Sequence, residues 1–134
     1  MVTGRITDAS LTVGPAASAF DWGYTDLDAL AGAVVAGHVI ECGAQATGGN
    51  YAFFTDLPRM GHLGFPIAEV ASDGTSVITK HPDTGGAVTV GTVTAQLLYE
   101  VGGPRYLGPD VTTRLDTITL SADLVEQLRG HRAL

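Results

Sequence analysis

The stretch GHVIECGAQATGGNY, residues 37–51, sets His38, Glu41, Cys42 and Gln45 between an apolar run and a glycine pair. An imidazole that titrates near neutral pH and a carboxylate three residues on make a general acid/base pair when both lie on one helical face. The same two groups supply only part of a metal site, because a catalytic zinc takes three protein ligands and the spacing of His62, His81 and His131 does not point to this stretch. A plainer reading is a core histidine satisfied by a carboxylate. Burying an ionised Glu is costly unless it is paired, and a chain with 7 Lys and Arg has few partners to spare, which argues for a site. Cys42 is open to two readings: a nucleophile with His38 four residues back as its base, or a structural thiol.

Two glycine loops extend the candidate site. In QATGGNY, the backbone of Gly48 and Gly49 can approach a carbonyl or an anion closely, with Gln45, Thr47 and Asn50 as neutral donors. The pattern recurs in DTGGAVTVGTV, where Thr84, Gly85 and Gly86 precede an expected helix N-terminus, with Lys80 and His81 just upstream to attract a phosphate or carboxylate. A structural loop is the competing reading for both. Neither is a Walker loop, and no G-x-S-x-G nucleophile elbow is present.

The elements that must position these residues follow from local pattern. Asp26 is placed as N-cap of a helix running from Leu27 to Cys42 and stopped by Gly43. At 100° per residue, Leu27, Ala31, Val34, His38 and Glu41 fall in a sector about 80° wide. Val35, Val39 and Cys42 form a second face, so the helix is apolar nearly all round and expected between layers. PIAEVASDGTSVITKH reads as a hairpin about Asp73-Gly74, with Ile67, Val70, Val77 and Ile78 as apolar contacts. Thr92 or Thr94 is expected to cap a short helix carrying Val93, Gln96, Leu97, Leu98 and Tyr99, closed by Gly102-Gly103-Pro104. VTGRITDASLTVGP reads as a short β-capable piece, TRLDTITL as a strand, and Ser121 as the cap of a final helix through Leu124, Val125 and Leu128. Interleaved helices and strands give α/β or mixed α+β as the fold class.

Composition narrows the function classes. With 134 residues and no linker or repeat, one domain is expected, large enough for a core. A net charge of −7 works against a broad grip on nucleic acid or anionic lipid. The single cysteine excludes an internal disulfide and a multi-cysteine zinc site, and with no signal peptide or run of ~20 apolar residues the expected location is the cytoplasm, with no membrane partner. There are 18 glycines, about 13% against an average of ~7%, so they must act as local devices.

Three runs, GHVIECGAQATGGNY, PIAEV with VITKHPDTGGAVTVGTV, and TAQLLYEVGGPRYLGPDV, together closely resemble the core of the acyclic terpene utilisation (AtuA) family, from about Thr3 to Asp116. The resemblance implies a bacterial protein of the breakdown of citronellol- and geraniol-type terpenes and related branched acids, working beside acyl-CoA carboxylase subunits. His38, Glu41, Gln45, Gly48, Gly49 and Asn50 match the family's most distinctive run, and Lys80, Thr84, Gly85 and Gly86 match its second. No catalytic role comes over with them. Together with the residue chemistry it makes His38 and Glu41 the expected catalytic pair and an acyl-coenzyme A thioester the expected ligand, with no metal and no resident cofactor. The family carries an α/β segment upstream and often a small C-terminal domain, so this chain corresponds to a part of the core. Unpaired edges and apolar surface would then favour a homo-oligomer or a complementing N-terminal chain. The alternative to an enzyme is a structural or interaction subunit docking on such a half or on a carboxylase.

Overall fold

The first described segment is helical where the sequence reads as β-capable. In the computed structural model of the chain, which describes residues 4–122, a 3-10 turn at Asp8–Thr12 leads into α1, Val13–Phe20. Pro15 sits in the first turn, where its missing N–H is tolerated. Ala9, Val13 and Ala16 are buried, and their packing on the next helix decides the conformation. Asp21 then turns left-handed (φ 56°) and lets the Trp22 N–H close on Ala17 O.

α2 spans Leu27–Ile40. Asp26 precedes it, but its carboxylate accepts from the Gly23 N–H at 2.7 Å, so it holds the preceding turn and caps no helical N–H. The helix ends at Ile40, two residues before the expected Cys42, and Gly43 turns left-handed (φ +55°) beyond that end. Buried positions run round the helix: Leu30, Ala33 and Val34 on one side, and Val39 on another. Two apolar clusters lie against it, one with Ala9, Val13 and Ala16, the other with Ala46, Val93 and Leu97. Leu27, placed in the buried sector, is instead 52% exposed at the helix start.

Two glycines let backbone come in where a side chain would stand. A Cβ on Gly32 would strike the carbonyl of Gly74, and one on Gly37 would strike the carbonyl of Ala9 and come within 2.7 Å of Thr12 Oγ1. The Thr12 hydroxyl also donates to Ala33 O. Gly74 belongs to the hairpin of β1 (Pro66–Val70) and β2 (Ser76–Lys80), antiparallel with Ala68 opposite Ile78. Gly74 is left-handed (φ +84°), Asp73 Oδ1 accepts from Thr75 N–H and Oγ1–H, and these bonds hold the Asp73 carboxyl below the usual carboxylate range. The Trp22 indole donates to Ser72 O and ties the turn to the α1 end.

α3 spans Val90–Leu97, and its cap is Thr89 rather than Thr92 or Thr94. Thr89 Oγ1 accepts from Thr92 N–H while the Thr92 hydroxyl accepts from Thr89 N–H, a reciprocal capping box. A second hairpin, β3 (Arg105–Leu107) with β4 (Thr112–Arg114), places Tyr106 opposite Thr113. The strand expected over residues 113–120 therefore ends early. Leu115–Thr117 is a 3-10 turn, held by Arg114 bonding the Asp116 carboxylate and by Thr117 Oγ1 donating to Arg114 O. The helix expected through Leu124, Val125 and Leu128 lies outside the described residues.

The class is mixed α+β: three α-helices and two small antiparallel sheets among the described residues, with no parallel sheet. None of the described helices is long and apolar enough to cross a membrane. Gly37→Ala is expected to lower stability by about 1–3 kcal/mol, the usual range for overpacking, whereas Gly61→Ala, with nothing near its added methyl, stays within about 0.5 kcal/mol. Urea denaturation of both variants measures the difference.

Candidate functional site

His38 enters the interior because it lies on the last full turn of α2, where the buried stripe continues into polar residues. It is 3% exposed, and neither ring nitrogen has a hydrogen-bond partner among the described residues. Its ring lies 5.1 Å from that of Tyr106, tilted by 48°. Gln96, fully buried on α3, donates its amide N–H to His38 O at 3.1 Å, while its own Oε1 has no partner among the described residues. The core-histidine reading, in which a carboxylate satisfies the imidazole, does not describe this geometry.

Glu41 follows the helix end, half-buried, and accepts from the Cys42 thiol (Sγ to Oε1, 3.3 Å), not from His38. Burial pushes the Cys42 thiol up to about 11, with the Glu41 hydrogen bond and the charges of Glu41, Glu100 and Asp8 adding to it. Such a thiol is ionised in only about one molecule in ten thousand at pH 7. It is a poor nucleophile and serves as a donor to Glu41. Burial also raises Tyr106, reinforced by Glu41, Asp8 and Glu100. Tyr99 is raised by its bond to Glu100, an effect partly offset by one from Gln45, whose buried Oε1 has no partner among the described residues. The patch at the α2 end is therefore acidic, and the helix carbonyl terminus adds to that sign.

Of the two readings open for the glycine loops, their backbone bonding in this conformation follows the structural one. Gly48 N–H donates to Gln45 O, Gly49 N–H to Ala44 O and Asn50 N–H to Gln45 O. In the second loop Gly85 N–H donates to His62 O and Gly86 N–H to Pro58 O, both at 2.7 Å, and Ala87 N–H to Thr47 O. Thr47 is fully buried, with its hydroxyl donating to Ala44 O and Gly64 O. In this conformation the N–H groups of both glycine pairs are spent inside the protein, so neither loop presents them to an anion. The glycines serve close approach: a Cβ on Gly85 would strike Arg59 O, and one on Gly86 would strike Thr47 O. Asn50 reaches the other way and donates to Ala95 O on α3.

Lys80 is turned into its own loop, donating to Thr84 O at 2.8 Å and to His81 O at 3.3 Å. Thr84 Oγ1 donates to His81 O. Arg59, which sequence reasoning passed over, converges on the same carbonyl, Thr84 O, and on Asp83 O. The predicted residues thus fall into three groups: His38, Glu41 and Gln45 at the α2 end, Thr47–Asn50 in a laced loop, and Lys80 with Thr84–Gly86 in a second loop bonded to it. Tyr99, Glu100, Tyr106 and Asp8 were also missed. Only long-range pairing brings them to the α2 end, and no local spacing marks them. No group of three or more His, Cys, Asp or Glu side chains able to hold a metal occurs among the described residues.

A family model described as acyclic terpene utilisation family protein AtuA matches residues 1–129. The chain belongs to this family. No curated protein and no solved structure matches it. The match spans the α2 end, both glycine loops and the two hairpins, so the groups described above lie within what the family model covers.

The Cys42 assignment is directly measurable. The wild-type thiol is expected to react slowly with iodoacetamide at pH 7.5, with a rate that climbs until the pH approaches 11. Glu41→Gln, which removes the anionic acceptor, is expected to speed the reaction at pH 7.5 severalfold. Equal rates in the two proteins would remove Glu41 as the group that holds the proton on.

Proposed function

We propose that the chain acts in acyclic terpene breakdown on a branched acyl thioester, bound at the C-terminal end of α2. The observation that carries this reading is the buried His38 imidazole, both of whose nitrogens lack a partner among the described residues, one helical turn before a half-buried carboxylate. An imidazole N–H facing a thioester oxygen stabilises the charge that develops there when the α-carbon loses its proton, and Glu41 is the group positioned to take that proton. The acidic surroundings favour the neutral acyl and thioester end of a ligand over its phosphates. Gln45, whose Oε1 has no partner among the described residues, adds a polar contact. Thr47, Gly48, Gly49 and Asn50, with Gly85 and Gly86, frame the site through the backbone, and Lys80 and Thr84 extend it.

Entry to His38 runs past Tyr106. That ring is carried by β3, which is held to β4 over three residue pairs, a short pairing of the kind that opens at low cost. Displacing it uncovers the imidazole.

A second reading has its own support. Phe53, Phe54 and Phe65 are 63%, 50% and 71% exposed, three large apolar side chains turned to solvent. It suits a non-catalytic subunit docking on a complementing chain, a second copy or an acyl-CoA carboxylase.

The readings separate by binding and melting. With a panel of branched acyl-coenzyme A thioesters, a ligand at a hundred times its dissociation constant stabilises the fold by ~2.7 kcal/mol, and the matching thioester is expected to raise the melting temperature of the wild type. Glu41→Gln is expected to abolish turnover in the complete assembly while its own melting temperature moves by only a few degrees. Full turnover by that variant, or no thioester binding by the assembly, would leave the docking reading in its place.

A further inference from the structure

We infer that Thr113 is the second hydrogen-bond donor to the thioester oxygen, forming with His38 a two-donor cradle for the charge that collects there; this rests on the acyl-thioester reading above. Thr113 is the middle residue of β4 and its one buried position, 3% exposed between exposed Thr112 and Arg114. Its inward direction follows from the alternation of side chains along a strand. It stands directly opposite Tyr106 in the hairpin register, and residues so paired hold their side chains on one face with Cβ atoms about 4.5–5.5 Å apart. On that face the Tyr106 ring lies 5.1 Å from the His38 ring. The Thr113 hydroxyl and the His38 imidazole are therefore neighbours of the same ring.

Both groups are unanswered. Thr113 Oγ1 and the two His38 nitrogens have no hydrogen-bond partner among the described residues, so in this conformation they do not bond each other and each keeps a donor for a ligand. Other buried threonines behave differently: the Thr47 hydroxyl donates to Ala44 O and Gly64 O, and that of Thr92 donates to Ala87 O and accepts from Thr89 N–H. Thr79 Oγ1 is also without a partner among the described residues, but that residue is only half-buried. Burying a hydroxyl with no bond is costly, and two donors set in place before charge forms are what a developing oxyanion requires. Moving the Tyr106 ring uncovers both groups together, and Thr113 keeps its place because β4 packs on α2. As Glu41 takes the α-proton, the C–H electron pair becomes a carbon–carbon double bond and the carbonyl π pair moves to the thioester oxygen. Both donors keep their protons and share the charge on that oxygen.

The test uses Thr113→Val, which keeps the shape and removes the hydroxyl, and Thr113→Ser, which keeps the hydroxyl. Entry of deuterium at the α-carbon of a branched acyl N-acetylcysteamine thioester is followed in the complete assembly, together with the infrared band of its carbon-13 carbonyl when bound. Two donors are expected to lower that band in the wild type. Thr113→Val is expected to slow deuterium entry roughly a hundredfold, the usual loss for one such donor, and to return the band part of the way to its position in water-free solvent. Its melting temperature without ligand is expected to hold or rise, since an unanswered hydroxyl is gone. Thr113→Ser is expected to recover most of the rate and of the band shift. A band unmoved by Thr113→Val, whatever that variant's stability, overturns the proposal and leaves His38 and Glu41 standing. A Thr113→Val protein that melts several degrees lower with its exchange rate intact also overturns it, and marks a hydroxyl that serves the fold through a buried water. Failure of the acyl-thioester reading looks different: the wild type itself then binds no thioester, and the role of Thr113 falls with it.

Discussion

The depth at which α2 lies is set by backbone meeting backbone. Gly32 admits the Gly74 carbonyl of the first hairpin and Gly37 admits the Ala9 carbonyl of the N-terminal turn. With no side chain at either contact, the hairpin turn and the 3-10 segment close directly on the helix, and the apolar clusters form on its flanks. Packed interiors resist even a single added methyl, so the helix has little freedom to rotate or withdraw. His38 is the residue after Gly37, and its burial follows from that contact.

A helix held so closely carries its last turn into a region where polar atoms go unanswered. The imidazole of His38, Gln96 Oε1, Gln45 Oε1 and Thr113 Oγ1 are buried without partners among the described residues, as is Thr79 Oγ1 on β2. Each such group carries the desolvation cost of a lost hydrogen bond, and their gathering on α2, the following turn, α3 and β4 is concentrated where Glu41 and Tyr106 also lie. Elsewhere the polar backbone is well satisfied: the loops at residues 43–50, 57–64 and 81–87 exchange N–H and carbonyl groups with one another. The contrast between laced loops and an unanswered helix end sets the functional end apart from its frame.

The sequence made α2 legible because its apolar composition runs unbroken from Leu27 on, although Asp26 caps no helical N–H and the helix ends at Ile40, short of Gly43. Asp73-Gly74 likewise marked the first hairpin, since a left-handed residue is required there. The N-terminal helix was hidden by Gly14 and Pro15, which read as a turn but are accommodated in a first helical turn. Thr89, Thr92 and Thr94 are chemically alike, and only tertiary position selects Thr89 as the cap. For the glycine pairs the sequence leaves a ligand-facing and a structural reading open, because the carbonyls that take their N–H groups, such as Pro58 O for Gly86, belong to other segments. Tyr106 sits among turn residues with no periodicity to flag it, and Arg59 becomes significant only through Thr84.

The central claim is that α2 presents to a ligand an imidazole that no described residue hydrogen-bonds. The most direct measurement is the ring nitrogen-15 spectrum of His38, with and without a saturating branched acyl thioester of N-acetylcysteamine, the other three histidines serving as internal controls. The account predicts that the His38 ring nitrogens shift on binding, by the amount expected when an N–H gains an oxygen acceptor, while those of His62 and His81 hold still. Unchanged His38 resonances in the saturated complex would contradict it.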